Sequence, residues 1–146
     1  NKEALVAALI ERHTEHRSSA LLAELARVAT LPVAQAARAV VELLIRAHSI
    51  DPDLHRVLVE QVPRVGKLSR LRELDEIAQR MVAGLLAARR EELALRDPDL
   101  SAFILVSTIE AVIQRAALLY PARLRDPRLV DEAVLVITRY LGVTPN

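Results

Sequence analysis

Three polar side chains lie within the most apolar part of the sequence and are the first candidates for chemistry. Ser107, Glu110 and Gln114 are spaced i, i+3 and i+7, so they share one side of the helix that this stretch predicts. Burying such groups without hydrogen-bond partners is costly. Either they line a ligand cavity and orient a small molecule, or they bond to backbone groups or across a contact between two subunits. The sequence leaves both interpretations open.

Two histidines and the methionine are further candidates for contacts with a ligand. His48 continues an apolar stripe at the end of one predicted helix, and His55 lies in the first turn of the next. A hydrogen-bonded histidine in the core is the more common arrangement for each, and the helix dipole favours a histidine at the C-terminal position of His48. Met81 is adaptable enough to line a pocket, although filling the core is its more ordinary role.

Catalysis and metal binding are not indicated. His13 and His16 stand at i, i+3 beside Glu11 and Glu15, which is a possible metal-ligand spacing, but such a polar segment is typical of a solvated helix face. The sequence contains no Glu-x-x-His pair, no glycine-rich phosphate loop, no G-x-S-x-G turn and no cysteine. We therefore expect neither an enzyme nor a bound metal or cofactor.

The charge balance argues against nucleic-acid binding by this stretch alone. There are 20 Lys and Arg residues against 19 Asp and Glu, a net charge of +1, and only one Phe and two Tyr to stack on bases. The absence of cysteine fits a reducing cytoplasm. The most apolar run, Phe103 to Ile113, is interrupted by Ser107, Thr108 and Glu110 and is too short for a membrane span, so no membrane partner is expected.

Aspartate–proline pairs mark the starts of three predicted helices, at Asp51-Pro52, Asp97-Pro98 and Asp126-Pro127. An Asp side chain can accept a bond from a free backbone N–H, and Pro at the first helical position gives up a donor that has no partner there. Gly66 and Gly142 stand where a left-handed C-terminal cap is favoured, and Pro121 ends the helix before it. The predicted helices span 2–29, 32–50, 52–63, 67–95, 98–120 and 127–141, so the fold class is all-α with six helices.

The last two predicted helices carry more apolar surface than one chain can cover. Residues 98–120 are apolar nearly all round, and residues 127–141 present a broad apolar face. We expect both helices to pair with their copies in a second subunit, forming a four-helix bundle around a two-fold axis. The alternative is that the last helix folds back over the preceding one within a single chain. The predicted dimer contacts are Ile104, Ala111, Leu118, Val130, Val134, Ile137 and Leu141.

Two stretches resemble a known family. NKEALVAAL, residues 1–9, resembles the segment that follows the recognition helix in TetR-family transcriptional regulators, and DPDLHRVLVEQVP, residues 51–63, is similar to a stretch in a subgroup of them. The order of helices also resembles the regulatory part of that family along the whole chain. The resemblance implies a ligand-binding and dimerisation domain over 1–146, with 1–9 as the trailing end of a helix-turn-helix domain missing from this chain.

The resemblance further implies a cytoplasmic, ligand-responsive homodimer that binds operator DNA through the missing domain and represses transcription until a small, mostly hydrophobic effector releases it. The alternative function is a freestanding helical homodimer that acts as a protein-interaction module without DNA binding. The effector cavity is expected among the predicted helices 32–50, 52–63, 67–95 and 98–120. Its predicted walls are Val41, Leu44, His48, His55, Leu58, Val59, Leu74, Ile77, Met81, Phe103, Ser107, Glu110 and Gln114.

Overall fold

The computed structural model describes residues 1–49, 53, 56, 57, 60 and 68–144, and all regular structure in these residues is helical. The helices are α1 (Lys2–Val28), α2 (Val33–Ser49), α3 (Leu68–Ala88), α4 (Pro98–Leu119), α5 (Pro121–Leu124) and α6 (Arg128–Leu141), with a 3-10 helix at Arg90–Glu92. The prediction of an all-α fold is confirmed. The predicted helix over 52–63, its start at Asp51-Pro52 and the cap at Gly66 fall largely outside the described residues.

Aspartate side chains support the starts of α4 and α6. Asp97 Oδ1 accepts hydrogen bonds from the backbone N–H groups of Asp99, at 3.0 Å, and Leu100, at 3.1 Å. Asp126 Oδ1 accepts from the backbone N–H of Arg128 at 3.0 Å. The Arg128 side chain also binds this carboxylate, and the side-chain hydrogen bond is the main reason that the pKa of Asp126 is lowered to about 2. The predicted start of α4 is confirmed, with Asp97 as the N-cap residue and Pro98 at the first helical position. The start of α6 lies one residue later than predicted, at Arg128 with Pro127 as the N-cap residue, although Asp126 still accepts from the Arg128 N–H.

The prediction that the helix beginning near residue 67 continues to residue 95 is wrong. In the structure α3 ends at Ala88, and the 3-10 helix follows it. The chain turns here because Leu93 is buried in the core and the backbone N–H of Ala94 donates to the Leu141 carbonyl at 2.8 Å. Neither Pro nor Gly marks this end, so only the tertiary contacts decide it.

The short helix α5 was not predicted. Pro121 does end α4, but it also occupies the first position of α5, where the N–H that proline lacks would have had no partner. Leu124, the last residue of α5, is buried against the core. A helix of four residues contains too few positions to show a helical period, which explains why the sequence pattern did not reveal it.

Gly142 ends α6 as predicted. Its φ angle is 70°, in the left-handed region, and its backbone N–H donates to the Arg139 carbonyl at 3.2 Å. A Cβ at this position would lie 2.6 Å from the Cβ of Ala94. The position therefore requires glycine both for the backbone angle and for the close approach of the chain between α3 and α4.

Two apolar clusters form the core, and α4 contributes to both. The N-terminal half of α4 supplies Ala102 and Leu105 to a cluster with residues of α3 and the end of α6. Its C-terminal half supplies Ile109 and Ile113 to a cluster with α2, α5 and α6. Ile137 on α6 packs against both clusters. The space between the two clusters is where the candidate site lies.

By length and composition alone, α4 is long and apolar enough to cross a membrane, unlike any other described helix. The expectation from the sequence considered only Phe103 to Ile113, whereas the apolar character extends over Pro98–Leu119. One such helix is weak support for a membrane span, because core helices of soluble proteins pass the same test. Here one side of α4 belongs to the core, with Ala102, Leu105, Ile109 and Ile113 all buried.

Candidate effector cavity

A cavity of about 150 Å³ lies between the two core clusters. Five helices and the segment between α3 and α4 form its wall, and the wall is apolar except for Arg89 and Glu110. The lining residues are Leu21, Leu25, Val28, Val33, Ala36, Ala37, Val40, Val41, Leu44, Ala78, Val82, Leu85, Leu86, Arg89, Leu93, Leu105, Val106, Ile109, Glu110, Ile137 and Leu141. An apolar cavity with few polar groups suits a small, mostly hydrophobic ligand.

The cavity exists because small side chains face one another across the interior. Ala36 and Ala37 on α2 and Ala78 on α3 line it. Larger residues at these positions would extend into the space that the cavity occupies. The sequence shows the alanines but not that they face the same space, so this feature became visible only in three dimensions.

Three of the predicted wall residues line the cavity: Val41, Leu44 and Glu110. Leu74 is buried and Ile77 and Met81 are half-buried on α3, but none of these three belongs to the wall. Leu74 lies on the same side of α3 as Ala78 but one turn nearer the start of the helix, before the lining residues begin, whereas Ile77 and Met81 are rotated away from the lining side. His55, Leu58 and Val59 lie outside the described residues.

Phe103, Ser107 and Gln114 are exposed and do not line the cavity. The spacing does place Ser107, Glu110 and Gln114 on one side of the helix, as predicted. That side is the outer side of α4, away from the buried Ile109 and Ile113. Glu110 lies at the edge of that side, beside Val106 and Ile109, and therefore reaches the wall. This corrects the placement of Ser107 and Gln114, because helical spacing defines a common face without showing which way the face points.

His48 is buried at the end of α2, and both of its ring nitrogens have hydrogen-bond partners. Its Nδ1 lies 2.7 Å from the Leu44 carbonyl oxygen, and its Nε2 lies 2.9 Å from a guanidinium nitrogen of Arg17 on α1. Because a carbonyl only accepts and a guanidinium only donates, Nδ1 carries the proton and Nε2 is the acceptor. His48 is thus a hydrogen-bonded core residue, and it is not part of the cavity wall.

The Arg17 guanidinium links three helices near the cavity. It donates to His48 on α2, and burial lowers the pKa of Arg17 while the charge of Glu110 on α4 acts in the opposite direction. Its Nε is buried and makes no hydrogen bond with the described residues. This residue was not among those predicted, since on the sequence it is one of many Arg residues in a polar segment.

Glu110 is the acidic group of the cavity wall. Burial raises the pKa of its carboxyl, the negative charge of Asp75 on α3 raises it further, and the positive charge of Arg17 lowers it. The residue as a whole keeps exposed surface, which places it where the cavity approaches solvent. Arg89, the basic group of the wall, donates a hydrogen bond to the carbonyl of Ala29, the residue that caps the C-terminal end of α1.

The first and last helices were missing from the predicted cavity. Leu21, Leu25 and Val28 bring α1 into the wall, and Ile137 and Leu141 bring in α6. The apolar spacing i, i+4, i+7 in α1 was the signal that could have identified its contribution.

Some of the residues predicted as dimer contacts are used inside the chain. Val134 and Leu141 are 3% and 2% exposed, and Ile137 is half-buried and lines the cavity. For these three, the structure corrects the prediction, because α6 turns its apolar side to α2 and α4 of its own chain. Leu118 and Val130 are half-buried, whereas Ile104 and Ala111 are exposed on the outer side of α4.

No group of three or more His, Asp or Glu side chains within the described part of the chain is placed to hold a metal ion. His13 is half-buried and His16 is exposed on α1.

The described residues form an all-α domain with an apolar cavity, and the first and last helices both contribute to the wall of that cavity. Residues 32–141, more than half of the chain, match the family described as tetracyclin repressor-like, C-terminal domain. The chain belongs to this family, which confirms the predicted TetR-family regulatory domain. No curated protein and no solved structure matches the chain.

Proposed function

We propose that this domain is the effector-sensing part of a ligand-responsive, DNA-binding transcriptional repressor. The observation that carries the proposal is the cavity of about 150 Å³, whose wall is apolar apart from two charged residues. Family membership supports a transcription regulator in general. The effector is a small, mostly hydrophobic molecule that occupies the cavity and releases the protein from its operator.

The route from the cavity to DNA runs through α1. Leu21, Leu25 and Val28 of this helix line the cavity, and Arg89 in the wall binds the carbonyl just beyond its C-terminal end. A molecule in the cavity therefore contacts the helix that would carry a helix-turn-helix domain at its N-terminal end. If the effector fits one position of α1 better than another, it shifts the population towards that position. The spacing of two DNA-binding domains then changes relative to the operator half-sites.

We further propose that the functional unit is a homodimer. The outer side of α4 leaves large apolar side chains exposed, among them Leu100, Phe103, Ile104, Val112 and Leu119. On α6, Val136 and Tyr140 are also exposed. Large apolar side chains exposed in this number on neighbouring turns of one helix are typical of a protein interface. In this arrangement Ser107 and Gln114 lie at the subunit contact, which is the second of the two interpretations of their position.

The cavity is tested by filling it. Ala37→Leu places a larger side chain in the wall, and Ala87→Leu makes the same change at an exposed position of α3. Binding of 2-phenylethanol, an apolar ring with one hydroxyl group, is measured by the shift in melting temperature. At ten times its Kd a ligand that binds only the native state stabilises it by about 1.4 kcal/mol, or about 3–6 °C for a domain of this size.

We expect the shift in the unmodified protein and in Ala87→Leu, and its loss in Ala37→Leu. The complete protein is then tested with DNA selected from a random pool, and the compound with the largest thermal shift should reduce the fraction of DNA bound. If no compound in a panel of apolar molecules shifts the melting temperature of the unmodified protein, the cavity is not an effector site. If compounds bind but the complete protein selects no DNA, the domain serves the alternative function, an interaction module.

A further inference from the structure

The two charged residues of the cavity wall differ in whether they form a hydrogen bond within the fold. Arg89 donates to the Ala29 carbonyl and thereby satisfies the end of α1. Glu110 forms no hydrogen bond and no ion pair with any described residue. The cavity wall thus contains one carboxylate without a hydrogen-bond partner among the described residues and one guanidinium that keeps its positive charge while one of its N–H groups holds the end of α1.

The nearby charges do not neutralise Glu110. Asp75 on α3 adds negative charge, and Arg17 on α1 supplies positive charge from a distance. The Arg17 guanidinium points a donor at His48 Nε2, 2.9 Å away, so its nearest partner is the imidazole. Among the described residues, Glu110 and Asp75 against Arg17 give this corner of the cavity more negative than positive charge.

A carboxylate at the edge of an apolar cavity lacks part of the hydration that it would have in water. Burial and Asp75 both disfavour the charged form of Glu110 and raise its pKa. A ligand that brings a positive charge and a hydrogen-bond donor would supply the missing partner, and such charge-assisted hydrogen bonds are among the stronger ones in proteins. An anionic ligand would add a third negative charge to the same corner.

We propose that the cavity takes a small amphiphilic cation, with an apolar body between the two core clusters and a protonated amine bound to the Glu110 carboxylate. This inference rests on the proposed function, since it assumes that the cavity holds the effector. A cavity of about 150 Å³ accommodates an apolar group of roughly the size of one aromatic ring. The geometry therefore favours an aryl or short-chain alkyl amine over a long-chain ligand.

Three probes of nearly equal size separate charge from shape. They are 2-phenylethylamine, which is a cation at neutral pH, 2-phenylethanol, which is neutral, and phenylacetate, which is an anion. Their dissociation constants are measured on the unmodified protein and on Glu110→Gln, which keeps the shape of the side chain and removes its charge. We expect the amine to bind roughly tenfold more tightly than the alcohol, and phenylacetate to bind more weakly than either.

In Glu110→Gln the preference for the amine over the alcohol should disappear, because the amine loses more affinity than the alcohol when the negative charge is removed. The preference should also fall as the pH is lowered and Glu110 becomes protonated. Its raised pKa moves this loss to a higher pH than for an ordinary glutamate, with Asp75 and Arg17 as the charged groups facing it. Asp75→Asn should reduce the preference by a smaller factor than Glu110→Gln does.

The stability of the unliganded variant distinguishes a ligand contact from a structural ion pair. Because the folded protein disfavours the charged form of Glu110, the neutral glutamine should leave the melting temperature unchanged or raise it slightly. A clear fall in melting temperature would assign Glu110 to a pairing with Arg17 and would overturn the proposal. Equal binding of amine and alcohol, or tighter binding of phenylacetate, would also overturn it. If the alcohol or other apolar molecules bind but the amine is not preferred, only the proposal of a cationic ligand fails. If neither the three probes nor other apolar molecules bind, the proposed effector cavity fails as well.

Discussion

Both sides of α4 carry large apolar side chains, but their surroundings differ. The inner side places Leu105, Ile109 and Ile113 against α2, α3 and α6, and each is less than 10% exposed. The outer side places Phe103 at 58% and Val112 at 41% exposure, with no described element over them. The apolar residues in the sequence thus indicate that α4 has surface to bury. Only the tertiary structure shows which part of that surface is buried within the chain.

Glu110 lies at the boundary between these two sides. It is the one polar residue of α4 that belongs to the cavity wall, whereas Ser107 and Gln114 lie on the outer side. The helix α4 therefore has two proposed roles. Its inner side and the edge at Glu110 line the candidate effector cavity, and its outer side forms the proposed dimer contact.

The largest expected effect is on the outer side. In Ile104→Glu a two-fold interface would contain the new charge twice, and an unpaired charge buried at a contact costs about 3–5 kcal/mol. The chain itself should remain folded, because Ile104 is 39% exposed in the single chain. Light scattering at micromolar concentration should show a dimer for the unmodified protein and a monomer for the variant. Ala87→Glu, at an exposed position of α3, serves as the control and should remain dimeric. A monomeric unmodified protein would remove the outer side from the proposed interface.

A large effect of a different kind is expected on the inner side. Ile113 is 1% exposed, so Ile113→Ala should lower the free energy of unfolding by about 2–5 kcal/mol through lost burial and a residual cavity. Urea unfolding measures this change, and it should not depend on protein concentration. Val112→Ala, one residue away on the outer side, is the matched control. Its smaller effect should depend on concentration if the dimer covers Val112, and equal effects of the two variants would contradict the assignment of the two sides.

The smallest of the three effects concerns the end of α6, which supports the inner side of α4 near Leu105. In Gly142→Ala the backbone angle of 70° is strained, and the new Cβ would lie 2.6 Å from the Ala94 Cβ. Together these should lower the free energy of unfolding by about 1–3 kcal/mol. Thermal unfolding measures the change, and Gly84→Ala is the control, since no atom lies within 4 Å of a Cβ built at that helical glycine. If Gly142→Ala kept the stability of the unmodified protein while Gly84→Ala lost stability, the close packing at Ala94 would not limit this end of α6.

The sequence was most informative at the helix termini. Asp97 and Asp126 begin helices, Pro121 and Gly142 end them, and all four follow from local backbone chemistry. Where no such signal exists the prediction was wrong, as at Ala88, because the turn after α3 depends on contacts of Leu93 and Ala94 with distant residues.

The candidate site was less predictable from the sequence. Val41, Leu44 and Glu110 were identified because they interrupt or continue an apolar stripe. The contributions of α1 and α6 depend on how separate helices meet in space, and Arg17 and its partner His48 are 31 residues apart in sequence. Helical periodicity does not predict contacts between helices.

By itself, the sequence determined that this chain is all-α, where most of its helices begin and end, and which of them are amphipathic. These properties follow from capping groups, backbone angles and a period of 3.6 residues, all of which act within a few residues. The tertiary structure alone decided which side of α4 is covered, that facing alanines leave a cavity, and that Glu110 rather than Ser107 or Gln114 reaches its wall. The physical reason is that burial and charge pairing are sums over neighbours from several helices, and a single helix does not contain those neighbours.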